Sequence, residues 1–162
     1  MKILLVTFFI FSFITTLGQK TIGDLLEETP QGQKGIKHYT KIIKLDSNIA
    51  EAYWRRGYEY YRTKRYSLAL PDFSKAISKD PHFNFANVIA DRGLTKEMLG
   101  MFEDAIVDFS QAIAYSYKQD TTIPQGFEKY YYHRGRTKFK LSDTTNAILD
   151  LDSSLKFWNF HY

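Results

Sequence analysis

Glycines 57, 93 and 135 head three copies of one spacing pattern. Twelve residues after each stands alanine: Ala69, Ala105 and Ala147. Sixteen after stands a large apolar residue: Phe73, Phe109 and Leu151. Nineteen after stands a small one: Ala76, Ala112 and Ser154. A small residue facing a small residue lets two antiparallel helices approach closely, and the large residue one turn on is expected to fill the space where they diverge. Recurrence of the whole set restricts the chain to an all-α array of stacked helical hairpins, which folds by adding units and works by offering a groove.

Helical periodicity predicts first helices near 49–63, 84–99 and 127–141, and second helices near 66–79, 103–117 and 143–157. The turns between partners fall at Thr63–Arg65, Leu99–Met101 and Leu141–Asp143, with Gly100 suited to a left-handed helix end. Asp80-Pro81 stops the second helix of the first unit. Pro71 lies near that helix's start and predicts a late or bent first turn, because proline removes a backbone donor. Stepping back 34 residues from Ala69, Phe73 and Ala76 reaches Gly35, Tyr39 and Ile42. A partial unit is therefore expected at 19–48, pairing Thr21–Glu28 with Gly35–Leu45 through a turn at Thr29–Lys34. Arginine precedes each repeat glycine (Arg56, Arg92, Arg134) and aspartate precedes each large apolar residue (Asp72, Asp108, Asp150). The sixteen-residue separation predicts a recurring Arg–Asp pair.

These slots resemble the tetratricopeptide repeat, W-x2-L-G-x2-Y…A-x3-F…P, over about Ile49 to Asn159. The first unit carries Tyr53, Gly57, Tyr60, Ala69, Phe73, Ala76 and Pro81 in register. The second departs with Lys96 in the tyrosine slot and Tyr117 in the proline slot, the third with Lys138 and Asn159. The resemblance implies a right-handed superhelix of stacked antiparallel helix pairs. Its units fall at 49–83, 84–117 and 126–159, with an insertion at 118–125 and a tail at 160–162. It also implies that the first helices line a concave peptide-binding groove. Groove candidates are Glu51, Trp54, Arg55, Tyr58, Tyr61 and Arg62, then Asn87, Ala90, Asp91, Leu94 and Met98, then Lys129, Tyr132, His133, Arg136 and Lys140. The competing reading is that these aromatics only cover helix–helix seams. In a subfamily that grips chaperone C-terminal carboxylates, only Lys129 of the required pattern is matched here, so that ligand is not expected.

The first eighteen residues read as a secretory signal peptide: Lys2, then an apolar run from Ile3, then Thr16-Leu17-Gly18 before Gln19. Cleavage predicts an exported protein, periplasmic or secreted, and retention a membrane-tethered one. Cysteine is absent, which excludes a disulfide framework and a thiolate nucleophile. The net charge of +4 is too small to imply a nucleic-acid partner. No G-x-S-x-G, H-E-x-x-H or phosphate-cradling loop occurs, and the four histidines lack ligand spacing. The expectation is a non-catalytic adaptor for an unknown protein or peptide, without cofactor or metal. Terminal aromatics Phe157 to Tyr162 are expected to fold back over the last hairpin or to form a self-association edge.

Overall fold

The computed structural model describes residues 20–119 and 127–158, which fold as eight α-helices. The expected leader, most of the insertion and the tail lie outside the described residues. The described residues up to Pro30, 20–30, belong to a unit of their own. In it α1 (Ile22–Glu27) starts on a capping box, with Thr21 and Asp24 each accepting from the other's backbone N–H.

The second unit, from Gln31, holds α2 (Gly32–Leu45), α3 (Ala50–Arg62), α4 (Tyr66–Lys79), α5 (Phe85–Met98), α6 (Phe102–Gln119), α7 (Phe127–Lys140) and α8 (Thr144–Trp158). Each helix packs on the one before and the one after, most extensively within the pairs α3–α4, α5–α6 and α7–α8. The first helices also meet in succession, α3 with α5 and α5 with α7, while the second helices have no comparable contact. The array therefore curves with α3, α5 and α7 on its inner side. This is the tetratricopeptide-type solenoid.

Two core clusters run along it. One gathers Tyr53, Ala69, Phe73, Ala76 and Val88, and the other Ile89, Ala105, Phe109, Ala112, Ile113 and Tyr130. Ile77 packs against both and joins them. The alanine slots are fully buried, as their spacing predicts.

The glycine slots work differently from the expectation. A methyl group on Gly57 would meet the Phe73 ring at 3.1 Å and Asp72 Cβ at 3.2 Å, and on Gly93 the Phe109 ring at 3.0 Å. The large residue sits over the glycine itself and does not fill a gap one turn away. In the third unit the nearest atom is instead backbone: a methyl group on Gly135 would meet the Ala147 carbonyl oxygen at 3.0 Å, with Asp150 Cβ at 3.0 Å and Leu151 Cγ at 3.1 Å.

Three turns inside the pairs repeat atom for atom. Lys64, Gly100 and Ser142 each stand seven residues after the repeat glycine and adopt φ of 60°, 79° and 63°. The next backbone N–H in each case reaches back five residues, Arg65 to Tyr60, Met101 to Lys96 and Asp143 to Lys138, at 2.8–3.0 Å. This closes the first helix as a Schellman motif. Gly100 alone has the residue type that the left-handed backbone favours.

Three local expectations are corrected. α2 begins at Gly32, so the turn before it is shorter than Thr29–Lys34. The buried Glu59 carboxylate accepts the Gly32 N–H at 2.5 Å, which satisfies an orphan donor and places negative charge at the helix start. α4 begins at Tyr66 and continues through Pro71 with no late start. Pro71 and Ser67 are both exposed, so the carbonyl left without its helical donor faces solvent. α6 runs to Gln119, past the expected 117. In the first unit Asp80 ends α4 by accepting the N–H groups of His82 and Phe83. Its counterpart Ser116 instead bonds the Ala112 carbonyl within the helix, so nothing stops α6.

Candidate functional site

A repeated clasp fastens each first helix to its own second helix. Arg56 donates through Nε and Nη2 to both Asp72 oxygens at 2.7 Å. Arg92 does the same to Asp108, and Arg134 to Asp150, at 2.7–2.9 Å. The sixteen-residue pairing is present in every unit. The aspartates are buried and the arginines mostly so, which makes the forked geometry selective for arginine. Lys96 and Lys138, which depart from the family's tyrosine slot, reach the same carboxylates at 2.9 and 2.8 Å. Burial raises the Asp150 pKa, but Arg134 and Lys138 outweigh it and hold the carboxyl below its ordinary range. In the first unit Tyr60 occupies that slot and lies beneath the Arg56 guanidinium, 6.0 Å from ring centroid to Cζ.

The structure sorts the predicted groove residues into three kinds. Some tie neighbouring first helices together. Trp54 on α3 donates its indole N–H to Asp91 on α5 at 2.8 Å. Asn87 on α5 accepts from Lys129 and from the Tyr130 hydroxyl on α7, both at 2.8 Å. Arg136 spans both oxygens of Glu97 at 2.8 and 3.0 Å, and Lys140 reaches one of them at 2.7 Å. The Glu97 side chain has no exposed surface. Burial would raise its pKa, but the two cations outweigh this and keep it ionised.

Others are committed within their own helix or are buried. Arg55 pairs with Glu51 at 2.6 Å, and Arg62 leans on Glu59 and Gln31. Tyr61 packs edge-on against Tyr66 and Leu94 lies partly buried on the core. His133 stacks on Phe109, 5.7 Å between centroids, and burial pushes its pKa down to about 4, so the ring is neutral at pH 7. Ala90 is a correction: it is buried in the second core cluster, because its small side chain falls between α5 and α6.

The third kind is exposed large surface: Tyr58, Met98 and Tyr132, one from each first helix. The inner face therefore presents two tyrosines and a methionine on a frame of internally satisfied charge. Asp91 is the electrostatic exception. Burial pushes its pKa up to about 6, against the pull of the Trp54 N–H and of Lys129. Sequence reading missed Glu97 as the hub of this frame. Its partners Arg136 and Lys140 lie beyond the insertion between the second and third units, so no constant repeat spacing points to them.

At the C-terminal end Phe157, on the last turns of α8, stacks on Tyr131 of α7, 5.5 Å between centroids, a contact within the helix pair. The rest of the tail is outside the described residues.

Comparison with known proteins agrees with this geometry. Residues 50–83 match the family model described as Tetratricopeptide repeat. A solved structure of MamA superimposes with a TM-score of 0.72 at 18% identity, over 93% of this chain and 85% of that one. The translocon at the outer membrane of chloroplasts 64 of Pisum sativum is 38% identical over 96 residues, 58% of this chain and 16% of that protein. Neutrophil cytosol factor 2 of Homo sapiens is 42% identical over 41 residues, 25% of this chain and 8% of that protein. The chain thus spans less than a fifth of the length of these curated relatives.

Proposed function

From a tetratricopeptide-type solenoid whose first hairpin matches the family model, we propose a non-catalytic scaffold, exported from the cytoplasm, that holds a peptide segment of another protein across α3, α5 and α7. The observation that carries this is the row Tyr58, Met98 and Tyr132 on the inner face. Large amphipathic side chains fixed on rigid helices are what peptide recognition uses, since they bury area at little entropic cost. The charges beneath them already have partners, so the ligand is recognised by apolar and hydroxyl contacts more than by its own charge.

A displayed random-peptide library tests the reading. Enriched peptides are expected to bind the intact chain and to lose about thirtyfold with Tyr58→Ala and Tyr132→Ala together, each worth about 1 kcal/mol. Helical circular dichroism should not change, because neither residue holds the array together. No enriched peptide, or one indifferent to both substitutions, overturns it. N-terminal sequencing of the mature protein tests export: a start at Gln19 supports it, and a start at Met1 supports the tethered form.

A second reading rests on α8. Leu155 is 62% exposed, whereas its register equivalent Ile113 on α6 is 5% exposed under α7. Ile148 and Leu149 are exposed beside it on the same helix. A second copy covering this surface would make the module self-associating. A monomeric mass at micromolar concentration, unchanged by Leu155→Ser, excludes that assembly.

A further inference from the structure

Every arginine and lysine of α3, α5 and α7 is engaged by a carboxylate or an amide. α2 is the opposite case. Its sequence, GQKGIKHYTKIIKL, carries four lysines and no acid. Lys34, Lys37, Lys41 and Lys44 are all exposed, and none has an ion pair or hydrogen bond among the described residues. At 100° per residue the four fall within an arc of about 80°, and they run in a straight line for about 15 Å. The acids on the packed neighbour α3 are committed elsewhere, Glu51 to Arg55 and Glu59 to the start of α2.

Four like charges on one helical face repel each other. Among the described residues no carboxylate pairs with them to offset that repulsion. A shallow pocket of about 340 Å³ opens among Ile36, Thr40 and three of these lysines. It combines an apolar floor with a cationic rim, formed in part by the lysine stems.

We infer that the lysine face of α2 docks on an anionic lipid surface, with phosphate headgroups between the ammonium groups. Three observations select a bilayer over other polyanions. The stripe is straight and one-sided, matching a plane of repeating charge. It offers no exposed aromatic on which a base would stack, as single-stranded nucleic-acid sites do. Both readings of the apolar run from Ile3 to Leu17, leader or anchor, bring the chain to a membrane, and only seventeen residues separate Leu17 from Lys34. This surface is distinct from the inner face of α3, α5 and α7, so the inference stands whether or not that face binds peptide.

Vesicle co-sedimentation of the full chain tests it. One set of vesicles is phosphatidylcholine alone, and the other is phosphatidylcholine mixed with phosphatidylglycerol. The apolar N-terminal run is common to both arms, and its contribution is read from the neutral vesicles. Binding is expected to be stronger to the anionic set, to fall about fivefold for each stripe lysine neutralised, and to be lost at high salt. Lys37→Gln with Lys41→Gln should therefore cost about twenty-five-fold. Lys75→Gln with Lys156→Gln removes the same charge from exposed sites elsewhere and should cost far less. Equal binding to both vesicle sets overturns the inference. So does an equal loss from the two lysine pairs, or tighter binding to an RNA oligomer or to polyglutamate than to the anionic vesicles.

Discussion

In α3–α4 the buried Asp72 carboxylate meets one guanidinium, and that guanidinium rests on the rings of Tyr53 and Tyr60. In α5–α6 and α7–α8 the tyrosine position holds Lys96 and Lys138, and each carboxylate meets two cations. Arginine and the variable residue stand four apart on one helical face, so both point at the aspartate one helix away. A slot that departs from the family pattern is thus a change of means. In the first hairpin Tyr60 sets a ring beside the arginine, and in the later two a lysine adds a second ammonium group to the carboxylate, with Arg134 also lying over the Tyr131 ring at 5.2 Å. Removing a buried charge exposes the difference, because what matters is how many opposite charges it leaves unpaired.

The largest expected effect is therefore Asp108→Ala. It strands Arg92 and Lys96 together and should cost about 3–5 kcal/mol in urea unfolding. Asp72→Ala should cost about 2 kcal/mol less, because Arg56 keeps its rings and a 3.3 Å bond to Thr40. Equal losses would break the comparison. Next come the glycines. Gly135→Ala sets a methyl 3.0 Å from a backbone oxygen that cannot yield, and should destabilise by about 2 kcal/mol. Gly57→Ala meets the buried Phe73 ring at 3.1 Å and Asp72 Cβ at 3.2 Å, so a helix-propensity gain of about 1 kcal/mol offsets only part of the clash and a smaller loss than at Gly135 is expected.

The position two before each glycine sharpens the contrast further, since it holds Arg55, Asp91 and His133 in turn. Asp91 has its pKa raised from 3.8 to about 6 in the fold, so the folded state favours its neutral form. Stability from this group is present at low pH, falls as pH rises from about 4 to 6, and stays lost at pH 7. Asp91→Asn keeps an acceptor for Trp54 and should gain about 1–2 kcal/mol at pH 7, a gain that vanishes below about pH 4. His133 acts with the opposite sign. Its pKa is lowered from 6.5 to about 4, so its contribution is whole above pH 6.5 and is lost as pH falls toward 4. Thermal melts across that range, with Asp91→Asn beside the unaltered chain, separate the two. The smallest effect belongs to the turns: Ser142→Gly should add about 0.5–1 kcal/mol by relieving its positive φ, matching what Gly100 already provides.

The helix pairs were legible because their signals are local. Glycine, alanine and the large residue recur at fixed intervals within one hairpin, and so do Arg56 and Asp72 with their equivalents. The second cation was not, since a lysine in a tyrosine slot reads as a mismatch until the carboxylate opposite it is seen. The glycine contacts were misjudged for a geometric reason: a ring edge lies flat against a bare backbone as readily as a methyl group does. The inner face was least legible. Its bonds run between hairpins, Trp54 to Asp91 and Glu97 to Arg136, and the unequal spacing of 36 and 42 residues gives such bonds no constant offset. Which candidates stay exposed depended on those bonds.

Each Arg–Asp clasp closes within its own hairpin, so a gene segment encoding one hairpin carries its fastening with it. Duplication of the α3–α4 segment leaves every clasp whole, and excision leaves the other clasps whole but strands Asp91, which loses its indole donor. The last two hairpins are under a different constraint. Glu97 on one holds Arg136 and Lys140 on the other, so recombination that separates them uncovers a dehydrated carboxylate. Lineages that lengthen or shorten such an array should therefore change copy number ahead of α5 and inherit α5 to α8 as one block.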